Sequence, residues 1–299
     1  MRLAAVALGL LCGCARACGG GAYVVHRAPQ PPRIDGVLDD AAWNRAARAG
    51  PFVRSIDGKA ASAATVAYLV WDDEALYVAF QAADPDVSTH FTRDDEPLYT
   101  SNVVEIFLNP GGDLVHYVEI EVAPSNALFD ASFVGRRKNM DLSWSSHARH
   151  AVHVDGTLND SHDVDRGWTV ELAIPFAALP GSPRPRRGDE WRFNLYRLRQ
   201  PPGEGQAFNP PMVGDFHALD KFGVLVFGDE KAHAPAVAAP AKGEAPATKK
   251  AEAPAGDKKG EPGAKGESAT KQEPAKKAPS PSENVKAATK QAFNPQQPK

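Results

Sequence analysis

Between residues 22 and 230, apolar side chains recur at every second position far more often than at every third or fourth. This is the spacing of strands in a sheet rather than of amphipathic helices. Thr65-Val-Ala-Tyr-Leu-Val-Trp71 and Ala75-Leu-Tyr-Val-Ala-Phe-Gln-Ala82 flank the acidic turn Asp72-Asp-Glu74 and read as a hairpin. Further strands are expected over 103–108, 116–122, 128–133, 150–154, 168–174, 190–199 and 222–227. Two short helices are expected. One covers 39–47, where Asp39 can cap an Ala-rich run, and the other covers 175–179, with a proline at its start. Many short strands, Gly/Pro/Asp punctuation and no βαβ alternation predict an all-β chain folded as an antiparallel β-sandwich of the jelly-roll kind.

Composition sets the limits of this domain. From 231 to 299 the sequence turns to Ala, Lys, Pro, Glu and Gly, with Phe293 as the lone aromatic residue. Such a segment cannot offset the entropy of ordering its backbone and is predicted to stay disordered. At the other end, Met1-Arg2 precedes an apolar run from Leu3 to Leu11, the pattern of an export signal occupying residues 1–21. Leu11-Cys-Gly-Cys14 resembles a bacterial lipoprotein box, with Cys14 as the lipidated residue; the alternative is an ordinary signal peptide cut within 17–22. The mature chain is then exported, a lipoprotein of the outer or cytoplasmic membrane facing the periplasm or the cell surface. All 3 cysteines lie in this leader, so the folded domain relies on its core and not on disulfides. A formal charge of -3 gives no electrostatic footprint for nucleic acid.

Side chains two apart on a strand share a face. In Tyr117-Val-Glu-Ile-Glu-Val122, Val118, Ile120 and Val122 point one way and Tyr117, Glu119 and Glu121 the other. Glu105 interrupts the apolar row of Val103 and Phe107. If the two strands are neighbours, Glu105, Glu119 and Glu121 form one acidic face. It would attract hydroxyl donors or a cation, or else lie on a solvated surface with Glu105 paired to an arginine. Arg197 and Arg199 continue the face of Trp191, Phe193 and Leu195, which makes Arg197 a candidate for binding hydroxyls or pairing with a carboxylate.

Five phrases carry a family resemblance: Ile34-Asp-Gly-Val-Leu-Asp-Asp-Ala-Ala-Trp43, Trp71-Asp-Asp-Glu-Ala-Leu-Tyr77, Val104-Glu-Ile-Phe107, Gly167-Trp-Thr-Val-Glu-Leu-Ala-Ile-Pro175 and Lys221-Phe-Gly223. In this order the chain resembles family 9 carbohydrate-binding modules, which are DOMON-like sandwiches. The resemblance implies a non-catalytic module that binds oligo- or polysaccharide, is commonly attached to glycoside hydrolases and often carries structural calcium. It also implies a sugar gripped between two aromatic residues, which correspond to Tyr99 and Phe216. Each stands six residues ahead of its motif residue, Glu105 and Phe222, and each occupies a place usually held by tryptophan. The family glutamate corresponds to Glu105. Glu119, Glu121 and Ala123 stand where the family shows an amide, an arginine and an asparagine, which leaves the sugar undetermined. A pyranose offers an apolar C–H face for a ring and hydroxyl edges for hydrogen bonds, which is why such a site combines aromatic and polar residues.

Other constellations compete less well. His147, His150 and His153 cannot converge on a metal, because a spacing of three on a strand sends His150 to the opposite face. The loop Asn159-Asp-Ser-His-Asp-Val-Asp165 offers oxygen ligands for calcium, or is simply a soluble acidic tip. No catalytic triad, phosphate loop or paired-cysteine motif is present. Two alternatives to sugar binding stand: a haem held in a DOMON-like sandwich by Met140 or Met212 with His217, and a structural envelope lipoprotein without ligand.

Overall fold

The computed structural model describes residues 22–181 and 184–229. The export leader, Cys14 and the Ala/Lys/Pro/Glu-rich tail lie outside the described residues. Thirteen strands run in chain order as β1 (Ala22–Arg27), β2 (Arg48–Ala49), β3 (Val53–Arg54), β4 (Thr65–Trp71), β5 (Ala75–Ala83), β6 (Val103–Asn109) and β7 (His116–Val122). They continue as β8 (Leu128–Val134), β9 (Arg149–Asp155), β10 (Gly167–Pro175), β11 (Glu190–Arg199), β12 (Glu204–Ala207) and β13 (Gly223–Phe227).

The strands form a β-sandwich. One layer has the order β8-β7-β6-β11-β13-β1, and the other β1-β4-β5-β10-β9. β1 belongs to both: Ala22 to Val25 pair with Val224 to Phe227 of β13, and His26 and Arg27 pair with Val70 and Trp71 of β4. Both pairings are parallel, in a sandwich whose other strand pairs are antiparallel, as expected. Parallel neighbours need long connections, and here they are available, because β1 and β13 stand at opposite ends of the domain.

The predicted parity holds along the central strands. Val104, Ile106, Leu108, Val118, Ile120, Val122, Phe193 and Leu195 face inward, against Leu69, Val78, Phe80, Val170 and Leu172 of the second layer. A second apolar cluster covers the opposite, outer face of the first layer. It is built from Phe107, Tyr117, Phe129, Phe133, Tyr196 and Phe222 and is overlaid by loop residues such as Leu98 and Leu219. That face is roofed, not solvated.

Both expected short helices appear as 3-10 turns. The first reduces to one 3-10 turn at Trp43–Arg45 and the second to Phe176–Ala178, with Pro175 just ahead of it. The first segment is held at both ends, because Trp43 is pinned to β10 and Arg48–Ala49 pairs with β4. Too little chain remains between them for a longer helix.

The pin is Glu171, a wholly buried carboxylate in β10. Its Oε1 accepts from Trp43 Nε1 at 2.8 Å, and its Oε2 accepts from the backbone N–H groups of Asp35 and Gly36 at 2.9 and 2.8 Å. Gly36 adopts φ +85°, and a Cβ there would lie 2.8 Å from the backbone of Val152 and His153, so only glycine fits. Glu171→Ala would leave three donors without acceptors and is expected to lower the unfolding free energy by about 3 kcal/mol or more in urea titrations. Glu171→Gln should lose less, since its amide oxygen still accepts. Equal losses in the two variants would assign the effect to packing alone.

Candidate functional site

β6 and β7 pair antiparallel with Glu105 opposite Glu121 and Phe107 opposite Glu119. Strand alternation then places all three glutamates on the outer face, beneath the second apolar cluster. One carboxylate oxygen from each lies within 4.8 Å of the other two. Relative exposures are 2% for Glu105, 5% for Glu119 and 0% for Glu121, so water has little access to any of them.

Three like charges in so small a dry space oppose ionisation. Burial, reinforced by the charge of Glu119, holds the Glu105 carboxyl well above the usual range, with Arg137 acting in the other direction. Burial likewise raises Glu119 to about 7, although Glu121 and Arg137 pull it down. Glu121 is raised well above the usual range by burial and then by the charges of Glu105 and Glu119. Its carboxyl approaches that of Glu119 closely enough to share a proton. The main-chain N–H of Tyr99 faces Glu121 and lowers its pKa, but not in hydrogen-bonding geometry, and neither Glu121 oxygen has a partner by that criterion.

The two candidate aromatic residues occupy loops that border this floor, and both are half-buried. Tyr99 sits in the 3-10 turn Leu98–Thr100, its ring edge-on to Phe129 with centroids 5.5 Å apart. Phe216 stacks on Tyr196 at 4.1 Å and 5°. Tyr196 is the β11 residue opposite Glu105, and its hydroxyl donates to the Phe216 carbonyl at 2.9 Å. Gly205 makes room for this ring, since a Cβ there would lie 3.0 Å from the Phe216 ring.

Several supporting residues had no local signal in the sequence. Asp215 accepts from Arg136 Nε and Arg137 Nε, each at 2.8 Å, and from the His217 backbone N–H at 3.0 Å, which ties the Phe216 loop to the hairpin after β8. Burial opposes its ionisation, yet the two guanidiniums hold it below the usual carboxylate range. The Tyr117 hydroxyl accepts from Arg137 N at 3.1 Å and shares a hydrogen bond with His217 Nδ1 at 2.7 Å. The other ring nitrogen, Nε2, lies 3.8 Å from Glu119. Burial pushes His217 down to about 3, so the contact joins a neutral imidazole to Glu119 and is not an ion pair at neutral pH. Strand parity already grouped Tyr117 with Glu119, but nothing local linked either to His217.

Arg197 does not join the site. It lies on the inner face, wholly buried, where Nη2 meets Asp84 Oδ2 at 2.7 Å and Nη1 donates to the Ala83 carbonyl at 2.9 Å and to Thr65 Oγ1 at 3.1 Å. Its role is to bridge the two layers by pairing with a carboxylate. A place beside saccharide hydroxyls does not fit that position. Arg199 joins the same Asp84 at 3.2 Å.

The acidic loop is also committed elsewhere. Asp165 accepts from Val87 N at 2.6 Å and Thr157 N at 2.7 Å, and Asn159 Oδ1 accepts from Thr89 N at 2.8 Å. Oxygens engaged with N–H donors brace the loop and are not arranged around calcium. The haem alternative meets a similar obstacle. The His217 ring is walled by Phe107, Tyr117 and Phe133 with centroids at 5.0, 5.8 and 5.2 Å, and Met212 is 54% exposed.

Fold and site together define a β-sandwich with a roofed acidic floor bordered by aromatic loops. The chain belongs to the carbohydrate family 9 binding domain-like family, whose model matches residues 34–196. Its fold is similar to that of a candidate carbohydrate-binding protein from Bacteroides uniformis ATCC 8492, with a TM-score of 0.59 and 15% identity over 70% of this chain and 100% of the other. It is also similar to a family 9 carbohydrate-binding module from Caldicellulosiruptor kristjanssonii solved with cellotriose, with a TM-score of 0.51 and 20% identity over 74% of this chain and 100% of that one. No match was found among curated proteins.

The raised carboxyls link stability to pH. A folded-state pKa above the unfolded value means that the fold keeps protons which the unfolded chain releases, so stability falls as pH rises. For Glu119 the window runs from the ordinary glutamate value of 4.5 to about 7, and for Glu105 and Glu121 it extends upward from the same start. Each retained proton contributes a slope of roughly 1.4 kcal/mol per pH unit. Urea unfolding of wild type and Glu121→Gln across this window should show the variant losing less stability as pH rises. Parallel pH profiles for the two proteins would refute the buried, protonated cluster.

Proposed function

We propose that this protein is a non-catalytic saccharide-binding module that takes its ligand over the outer face of the first layer, between Tyr99 and Phe216. The observation that carries this reading is the pairing of two half-buried rings with one acidic floor: Tyr99 adjoins Glu121, and Phe216 adjoins Glu105 through Tyr196. Ring faces suit the C–H faces of a sugar. Membership of the family supports the same ligand class.

Hydrolysis is a poorer reading of these acids. A glycosidase needs two carboxyl groups flanking an open cleft. Here the carboxylate oxygens crowd within 4.8 Å and their side chains are closed off from solvent. In this reading the module holds polysaccharide at the cell envelope in support of its breakdown, beside a glycoside hydrolase that does the chemistry. The apolar leader and Cys14 support export and a lipid anchor. Cys14→Ser is expected to move the protein from the membrane fraction to the soluble fraction, and an unchanged distribution would remove the anchor from the proposal.

Gluco-oligosaccharides come first for testing, because the Caldicellulosiruptor module of similar fold was solved with cellotriose. On a glycan array followed by calorimetry, Tyr99→Ala and Phe216→Ala are each expected to weaken binding about tenfold or more, since one ring stacked on a sugar contributes on the order of 1.5 kcal/mol. Full retention of binding in both variants would place the sugar elsewhere, and an array with no signal would refute saccharide binding.

A further inference from the structure

We propose that Glu105, Glu119 and Glu121 form a binding site for a calcium-sized divalent cation. Acids clustered on a surface need no ion, because water solvates each one. In this cluster the water is excluded. Glu121 is wholly buried, neither of its oxygens accepts from an N–H or hydroxyl donor, and the groups it meets are the carboxyls of two more acids. An unpartnered buried carboxylate costs several kcal/mol when charged. The nearby guanidinium of Arg137 pairs with Asp215 through Nε and favours ionised Glu105 and Glu119 by its charge, with no ion pair to either. What the geometry lacks is a compact positive species between three oxygens.

The donor set selects the ion. Three carboxylate oxygens, with no thiolate, favour hard cations over zinc or copper. His217 adds no ligand, because its ring nitrogens are not among the atoms gathered within 4.8 Å of one another. Three oxygens within 4.8 Å of one another fit within the span around calcium, whose oxygens stand up to about 5.2 Å apart at metal–oxygen distances of about 2.6 Å. Hydration separates calcium from magnesium, which sheds its water reluctantly, and that counts against magnesium in a closed protein cage. The inference needs only the three acids and stands independently of saccharide binding.

Calorimetric titration of the chelator-treated full chain with CaCl2 and with MgCl2, at one pH and in enough monovalent salt to screen surface charge, tests it. The expected result is one calcium per chain, magnesium at least about tenfold weaker, and a rise in melting temperature with calcium. Glu121→Gln keeps the shape of the side chain and should abolish the calcium signal and the thermal shift, while its melting temperature without metal equals or exceeds that of wild type. If that variant does not fold, Glu105→Gln provides the same comparison. No calcium binding by wild type, a preference for magnesium, or equal calcium binding by wild type and a folded Gln variant would overturn the assignment.

Discussion

Three carboxylates brought face to face beneath a roof of aromatic residues impose the constraint on which the rest of this structure depends. The pairing of β6 with β7 determines it, since a slip of one residue would send Glu105 into the core and Ile106 out to the loops. The register is fixed from the other side of the sheet, where Val104, Ile106, Val118 and Ile120 fill the space between the layers. Hydrophobic packing on one face thus forces like charges together on the other.

The two faces of the same sheet handle buried charge differently. On the inner face, Arg197 and Asp84 meet at 2.7 Å, with Arg199, Thr65 and the Ala83 carbonyl completing the set. Desolvation still lowers the Arg197 pKa to about 10, but the charge has its counterpart and the pair joins the two layers. On the outer face, no comparable counter-charge lies within the cluster, and the raised carboxyls are the consequence. The first charge is paired within the polypeptide, with the Arg197 Nε left without a hydrogen-bond partner. The second is a cluster of like groups.

Much of the architecture was legible because strand alternation is a local property, and Val118, Ile120 and Val122 could be assigned to one face without knowing what they touch. The same rule put Glu105, Glu119 and Glu121 together once their strands were neighbours. It also placed Arg197 on the face of Phe193 and Leu195. What could not be read was that this face stays closed at its end and that Asp84, distant in sequence, waits there. The expected helix at 39–47 shortened to a 3-10 turn for a similar reason, since its fate was decided by Glu171 and β4 rather than by its own propensity. The phrases that resemble the family prove largely structural. Asp72 caps its hairpin by accepting from Glu74 N, Ala75 N and the Tyr77 hydroxyl, and Trp71 reaches the Gly228 carbonyl. Recognisable sequence mostly marks the scaffold, and the phrases containing Glu105 and Phe222 reach the face of the candidate site.

The roof bears on how the site can work. Tyr117 and Phe133 stack at 4.8 Å, Phe107 meets Tyr196 edge-on at 5.3 Å, and Tyr196 carries Phe216, so rings run from β8 across to the Phe216 loop. His217 sits among them, held by Tyr117, while Asp215 anchors the same loop to Arg136 and Arg137. A loop fixed at consecutive residues 215, 216 and 217 has little freedom left to lose when a ligand arrives. Binding surfaces of this kind gain affinity because the ordering cost has already been met in folding. That favours a preformed site over one assembled around its ligand, and it requires any ion or sugar to fit the spacing that β6, β7 and β11 already set.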